Sequence, residues 1–144
     1  MHPFVVKYIV DSHDQIIKSF HPQVVGRVVS KETTEYLREI LVGVVETGTG
    51  KKAQIKGMRV AGKTGTAQKV INGAYSHDKF FATFLGYAPA DNPRLAAVVI
   101  IDEPHPYYYG GTVSAPVFKE VIESSLKYLE TSPELTAYQV SGKL

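Results

Sequence analysis

The sequence predicts a mixed α+β domain in which helices flank an antiparallel sheet. Three observations carry that expectation. Two segments repeat apolar residues at helical spacing, and several shorter ones are rich in β-branched and aromatic residues. The strand-like segments downstream are joined by connections too short to hold crossover helices. With 144 residues, 44% of them hydrophobic and 21% charged, the chain can bury a core but is one domain at most.

In chain order, Phe4 to Val10 and Gln15 to Phe20 are rich in β-branched residues. They flank the turn-prone Asp11-Ser12-His13-Asp14, which predicts a hairpin. From Ser30 the period changes. Leu37, Ile40, Leu41, Val44 and Val45 recur at helical spacing, Ser30 can cap the start, and Gly48 can end the helix. Lys51, Lys52 and Lys56 follow in what reads as a solvated loop. Val60 to Ile71 reads as a strand, and Asn72-Gly73 opens a polar loop expected to run to about Lys79. Phe80 to Tyr87 alternates and is aromatic, Pro89 to Pro93 is a turn, and Leu95 to Ile101 is a buried strand. Beyond the Tyr107-Tyr108-Tyr109-Gly110-Gly111 loop, Val117, Phe118, Val121, Ile122, Leu126 and Leu129 mark a second helix. Ser114 is its expected cap, and Pro116 fits its first turn. Residues 1–130 therefore form the domain, and residues 131–144 a polar tail.

Composition excludes several classes of function. A net charge of +2 is too small to argue for nucleic acid or a membrane surface. There is no cysteine, hence no disulfide framework and no thiol nucleophile. The longest apolar run, Leu95 to Ile101, falls far short of a membrane span. His2, His13, His21, His77 and His105 are scattered without paired spacing, so no metal site is expected. Nothing in the sequence calls for a cofactor. Met1-His2-Pro3 leads straight into strand-like sequence, and that abrupt beginning predicts a piece of a longer protein.

Residues Gly57 to Gln68 fit two signatures with incompatible chemistry. Gly57 to Thr64 matches G-x-x-x-x-G-K-[ST], a phosphate-binding loop, and Leu95 to Asp102 imitates the acidic strand that helps hold magnesium in nucleotide hydrolases. That chemistry needs a buried strand before Gly57 and a helix starting at Lys63-Thr64. The preceding Lys51 to Lys56 is too polar for a buried strand. The following Gly65, Thr66, Val70 and Ile71 are poor helix formers, each costing roughly 0.5–1 kcal/mol relative to alanine. A nucleotide hydrolase is therefore the alternative rather than the leading expectation.

Lys63-Thr64-Gly65-Thr66 is the second signature, the K-T-G box of serine acyl-transfer enzymes. On an extended strand, Lys63 can supply a cation near a nucleophile and a carboxylate. Thr64 and Thr66, two apart, point the same way and can both donate to one carboxylate. Gly65 leaves room for a substrate backbone, and a strand N–H can stabilise an oxyanion.

Around this box, four stretches resemble, in the correct order, the C-terminal part of the transpeptidase domain of class B penicillin-binding proteins. They are Val45 to Gly50, Val60 to Gln68, Phe84 to Arg94 and Tyr109 to Lys119, and the likeness runs from about Pro3 to Leu129. Ala67-Gln68 after the box leans towards class B over the bifunctional class A enzymes. The resemblance implies a partial β-lactamase/transpeptidase-like fold, with Lys63 to Thr66 as the strand that binds substrate and β-lactam. The amide of Thr66 would be one of two oxyanion donors. It further implies D,D-transpeptidation of peptidoglycan stem peptides at the extracytoplasmic face of the bacterial inner membrane.

Other parts of that family's machinery are not in this sequence. Ser76-His77-Asp78-Lys79 and Ser124-Ser125-Leu126-Lys127 match S-x-x-K, yet both follow the K-T-G box when the nucleophile should precede it. No S-x-N exists, since the only asparagines are Asn72 and Asn92. The chain is thus expected to be inactive alone, with an upstream half of the domain as its missing partner. The edge of the Leu95 to Ile101 strand is expected to be open to self-association. Tyr107 to Tyr109 are expected to cover the core rather than line a groove, and Asp102 with Glu103 to be a solvated strand end rather than an acid/base pair.

Overall fold

The computed structural model describes residues 2–131. The predicted tail, residues 131–144, lies almost wholly outside them. The chain divides into two compact units between Thr34 and Glu35.

The first unit holds the predicted hairpin, with strands shorter than expected: β1 (Tyr8–Val10) and β2 (Ile16–Ser19), antiparallel. Asp11 Oδ1 accepts from the amides of His13 and Gln15 at 2.8 and 2.9 Å, an Asx arrangement that fixes the turn. Ser30 caps α1 (Lys31–Glu46) as expected, its Oγ accepting from the Thr33 amide at 3.0 Å.

In the second unit, β3 (Ala61–Ile71), β4 (Ala74–Ala88) and β5 (Leu95–Asp102) form an antiparallel sheet in the order β3-β4-β5. The expected polar loop at 72–79 is instead strand. Asn72 and Gly73 adopt φ of 52° and 82°, so two residues suffice to turn the chain, and β4 begins at Ala74. Turn chemistry outweighed the polarity of Ser76 to Lys79.

Helix α2 (Gly110–Thr131) packs along one face of the sheet. It starts five residues earlier than expected. Ser114 is therefore no cap: it is fully buried, and its Oγ donates to the Ala82 carbonyl at 2.9 Å. Pro116 lies in the helix interior, where it forgoes an amide bond. The core gathers Phe84, Phe118, Ile122, Val45 and Val60, with the two rings tilted and 4.8 Å apart. Ala82, Phe84, Gly86 and Ala88 alternate inward along β4, which is why that strand anchors the core.

The opposite face is largely bare. Leu85, Val98 and Ile100 are 58%, 57% and 60% exposed there. Its end near Ala61 and Tyr87 is covered by Leu41 and Val42 of α1.

Candidate functional site

The K-T-G-T box lies within β3, which among the described residues has no strand paired on its outer side. Alternate backbone N–H and C=O groups along that edge are consequently open to a ligand. The register places Gly62, Thr64 and Thr66 opposite Gly86, Phe84 and Ala82, on the face that α2 covers. Lys63 and Gly65 lie opposite Leu85 and Thr83, on the bare face.

Thr64 and Thr66 line a pocket of about 340 Å3, together with Thr49 from the turn after α1 and Gly110 and Gly111 at the start of α2. The two hydroxyls are held differently. The Gly110 amide donates to Thr66 Oγ1 at 3.2 Å, which leaves the Thr66 hydroxyl proton free to donate outward. Thr49 and Thr64 share a hydroxyl–hydroxyl bond of 2.9 Å. The lysine side chain leaves the strand from the other face and curls over the open edge. Its Nζ donates to the Thr64 carbonyl at 2.8 Å and lies 3.5 Å from the Thr64 hydroxyl. The cation thus sits at the edge, while both hydroxyls face the pocket.

Glycine makes this approach of α2 possible. A Cβ at Gly110 would stand 2.1 Å from the Thr83 carbonyl oxygen and 2.4 Å from that of Gly65. One at Gly111 would stand 2.2 Å from the Thr49 carbonyl oxygen. No side chain fits either position, so the helix start docks directly on the strand and the turn.

Lys51 and Lys52 also line the pocket, and among the described residues no aspartate or glutamate does. The expected solvated loop that carries them is a short 3-10 turn (Lys51–Ala53) pinned to α1. The Gly50 amide donates to the Val44 carbonyl at 2.9 Å, Gln54 Nε2 reaches the Val45 and Glu46 carbonyls at 3.0 Å each, and Ala53 is fully buried. Arg59 steadies the other end of this region, pairing with Glu39 at 2.6 Å and Asp91 at 2.8 Å. The hydrogen bond from Arg59 holds the Glu39 carboxyl below its ordinary value.

Tyr109 lines the pocket, contrary to the expectation that this tyrosine run only covers the core. Phe80, Tyr108 and Tyr109 form a ladder of rings 4.3 and 4.6 Å apart. Sequence reasoning missed Thr49, Lys51, Lys52 and the Gly110 amide as pocket groups. The signal available was the Gly110-Gly111 pair, since adjacent glycines at a helix start mark a close backbone approach.

Neither S-x-x-K tetrad forms a nucleophile site. Ser76 donates to Asp78, which lowers that carboxyl, while Lys79 pairs with Glu103 at 3.3 Å. Ser124 is exposed on α2. Asp102 and Glu103 accept from Lys69 at 2.8 and 2.7 Å, an ion cluster rather than an acid/base pair. Among the described residues no group of histidines and carboxylates is placed to hold a metal.

The nucleotide-hydrolase alternative fails on this geometry. Gly62 to Thr64 lie inside an antiparallel edge strand where a helix N-terminus is required, and Leu95 to Asp102 is the opposite edge of the same sheet.

An open-edged strand carrying Lys63 to Thr66, with Thr64 and Thr66 lining one pocket, is the arrangement expected of the K-T-G box of serine acyl-transfer enzymes. The match to known proteins narrows the class: residues 1–123 fit the penicillin binding protein transpeptidase domain, and the chain belongs to that family. It is 46% identical over 134 residues to the "Probable peptidoglycan D,D-transpeptidase PenA" of Neisseria flavescens, covering 88% of this chain and 34% of that protein. Stage V sporulation protein D of Bacillus subtilis is 39% identical over 133 residues, covering 91% of this chain and 21% of that one. Among solved structures, penicillin-binding protein 3 of Mycobacterium tuberculosis in complex with ampicillin superposes with a TM-score of 0.75 at 33% identity. That likeness covers 89% of this chain and 31% of the other. The same protein has been solved with aztreonam. The chain thus spans about a third or less of these relatives and corresponds to a C-terminal part of them. Among the described residues no helix is long and apolar enough to cross a membrane.

Proposed function

We propose that this chain is the substrate-gripping wall of a peptidoglycan D,D-transpeptidase, without the nucleophile. Thr64 and Thr66 donate to the terminal carboxylate of a stem peptide or to the carboxylate of a β-lactam. Lys63 places a cation at the strand edge, where it stabilises that carboxylate and lowers the cost of deprotonating a nearby serine. Gly65 admits the substrate backbone, and the Thr66 amide is one of the oxyanion donors. The observation that carries this reading is the shared orientation of Thr64 and Thr66 towards one pocket, beside an edge with open backbone groups.

The serine nucleophile and its base belong to an upstream half of the domain, formed by residues 1–130 together with that missing part. Leu85, Val98 and Ile100 supply apolar surface for the upstream half to cover, and Lys63 leaves the strand from that same face. The complete protein works at the extracytoplasmic face of the inner membrane. Alone, the chain self-associates through the free β5 edge, so light scattering at high concentration should give more than the 15.8 kDa monomer mass. A strictly monomeric mass would count against that part.

The test of the binding role is an amide-resonance titration of the labelled chain with N-acetyl-D-alanyl-D-alanine. Shifts confined to Lys63 to Thr66 and Gly110 to Thr112 are expected, and they should vanish in T64V/T66V. Shifts elsewhere, or shifts that survive that double variant, would defeat the assignment.

A further inference from the structure

The loop from β5 to α2, residues 103–109, begins on a strained residue and ends beside Thr66. Among the described residues Asp14, Asn72 and Glu103 are the non-glycine residues with positive φ. Aspartate and asparagine tolerate that shape through their short polar side chains, whereas glutamate, here at φ 47°, has no such aid. It keeps the shape only where its surroundings impose it. Three contacts do so. The Glu103 amide donates to the Phe80 carbonyl at 2.9 Å, and its two carboxylate oxygens face one lysine each, Lys69 at 2.7 Å and Lys79 at 3.3 Å.

Both lysines are aimed by one irregularity of the sheet. Gln68 pairs with Phe80 and Val70 with Tyr75, so Ser76 to Lys79 stand opposite Lys69 alone. A bulge of this kind turns side chains out of the ordinary alternation. Ser76 Oγ accepts from the Lys79 amide at 3.1 Å, which fixes the bulge from within. Further along, the loop is stacked on the same Phe80 through Tyr108, with ring centroids 4.3 Å apart. The Tyr109 carbonyl then accepts from the Thr112 and Val113 amides at 2.8 and 3.1 Å, which starts α2, and the Gly110 amide reaches Thr66 Oγ1 at 3.2 Å.

We propose that Glu103 is a positioning residue for Thr66: Lys69 and Lys79 hold its left-handed turn, and that turn sets where Tyr109 and Gly110 meet the K-T-G strand. This rests on the carboxylate-binding reading of Thr66 given above. It also gives a role to Lys79, whose S-x-x-K tetrad holds no nucleophile. Released from the two lysines, Glu103 returns to a negative φ, and the Gly110 amide moves off the Thr66 hydroxyl. An exposed ion pair shifts such an equilibrium about threefold, so the two together shift it about tenfold at low salt.

The experiment follows amide hydrogen exchange of the full chain, labelled with nitrogen-15, at low ionic strength. In E103Q and in K69Q/K79Q the Gly110 and Thr112 amides should exchange about tenfold faster than in wild type, with the Phe84 and Ile122 amides unchanged. Both variants cut the same ties, so E103Q/K69Q/K79Q should be no faster than either. N-acetyl-D-alanyl-D-alanine should bind all three more weakly than wild type, by a common factor. Added salt should speed Gly110 exchange in the wild type, a check that needs no substitution. Wild-type exchange at Gly110 in both variants, faster exchange spread evenly through the core, or effects that add in the triple variant would overturn the assignment. If the peptide moved neither the Thr64 nor the Thr66 amide of the wild type, the carboxylate-binding reading would fall. Gly110 exchange would then still decide whether Glu103 holds the loop.

Discussion

Two glycines three residues apart in β3 should respond in opposite ways to the same added methyl group. At Gly62 a Cβ would stand 2.6 and 2.8 Å from the Phe84 ring and 2.9 Å from the Leu85 carbonyl oxygen. Ordinary carbon contacts need about 3.5–4.0 Å, so the ring must retreat by about 1 Å. It has nowhere to go, because Phe84 is fully buried and lies 4.8 Å from Phe118. Overpacking of this kind costs about 1–3 kcal/mol; at about 2 kcal/mol, a domain of this size loses about 5–9 °C in melting temperature. At Gly65 the nearest atom is the Thr83 hydroxyl at 2.7 Å, on a side chain free to rotate, with the next at 3.5 Å. G65A should therefore melt within about 2 °C of wild type, since the contact is relieved without moving the core. It should nonetheless weaken peptide binding in the amide titration. Thermal unfolding followed by circular dichroism distinguishes the two. A G62A melting like wild type, or a G65A as unstable as G62A, would refute this account of the strand.

Other substitutions probe the core and the ion clusters. F118A removes the ring that α2 places against Phe84 and should cost about 3–5 kcal/mol, read as lost denaturant midpoint at constant slope. The Glu39 and Glu103 carboxyls are held below their ordinary value of 4.5, chiefly by hydrogen bonds from Arg59 and Lys69. A depressed folded-state value means stability that is complete above that ordinary value and lost as pH falls through the depressed one. Melting temperature should accordingly hold from neutrality towards pH 4.5 and fall below it, with a shallower fall in R59Q and in K69M. Gly73, at φ 82°, completes the two-residue turn, so G73A should lower the melting temperature, whereas H77A beside it should not.

The fold class was legible because periodicity is local. Helical spacing marked α1 and α2, and the alternation of Phe80 to Tyr87 marked the strand that anchors the core. The exceptions have physical causes. Ser76 to Lys79 is polar yet extended, since Asn72-Gly73 supplies a tight turn and cross-strand pairing does the rest. Ser114 looks like a cap because serine usually is one, but Gly110 and Gly111 let the helix begin a full turn earlier against β3 and the Thr49 turn. At the site, the strand period alone put Thr64 and Thr66 on one face, as the register has it. The period cannot show which distant residues meet that face. Thr49, Lys51 and Lys52 reach the pocket only through the packing of α1 and its following turn, a contact that no spacing in the sequence encodes.

The central claim is that this chain can grip a carboxylate but holds nothing able to attack the adjoining carbonyl. The direct test is to incubate the full chain with a fluorescent penicillin and run it on a denaturing gel, with an active penicillin-binding protein as the positive control. No fluorescent band at 15.8 kDa is the expected result. Covalent labelling that survives denaturation would contradict the claim and place a nucleophile within these 144 residues.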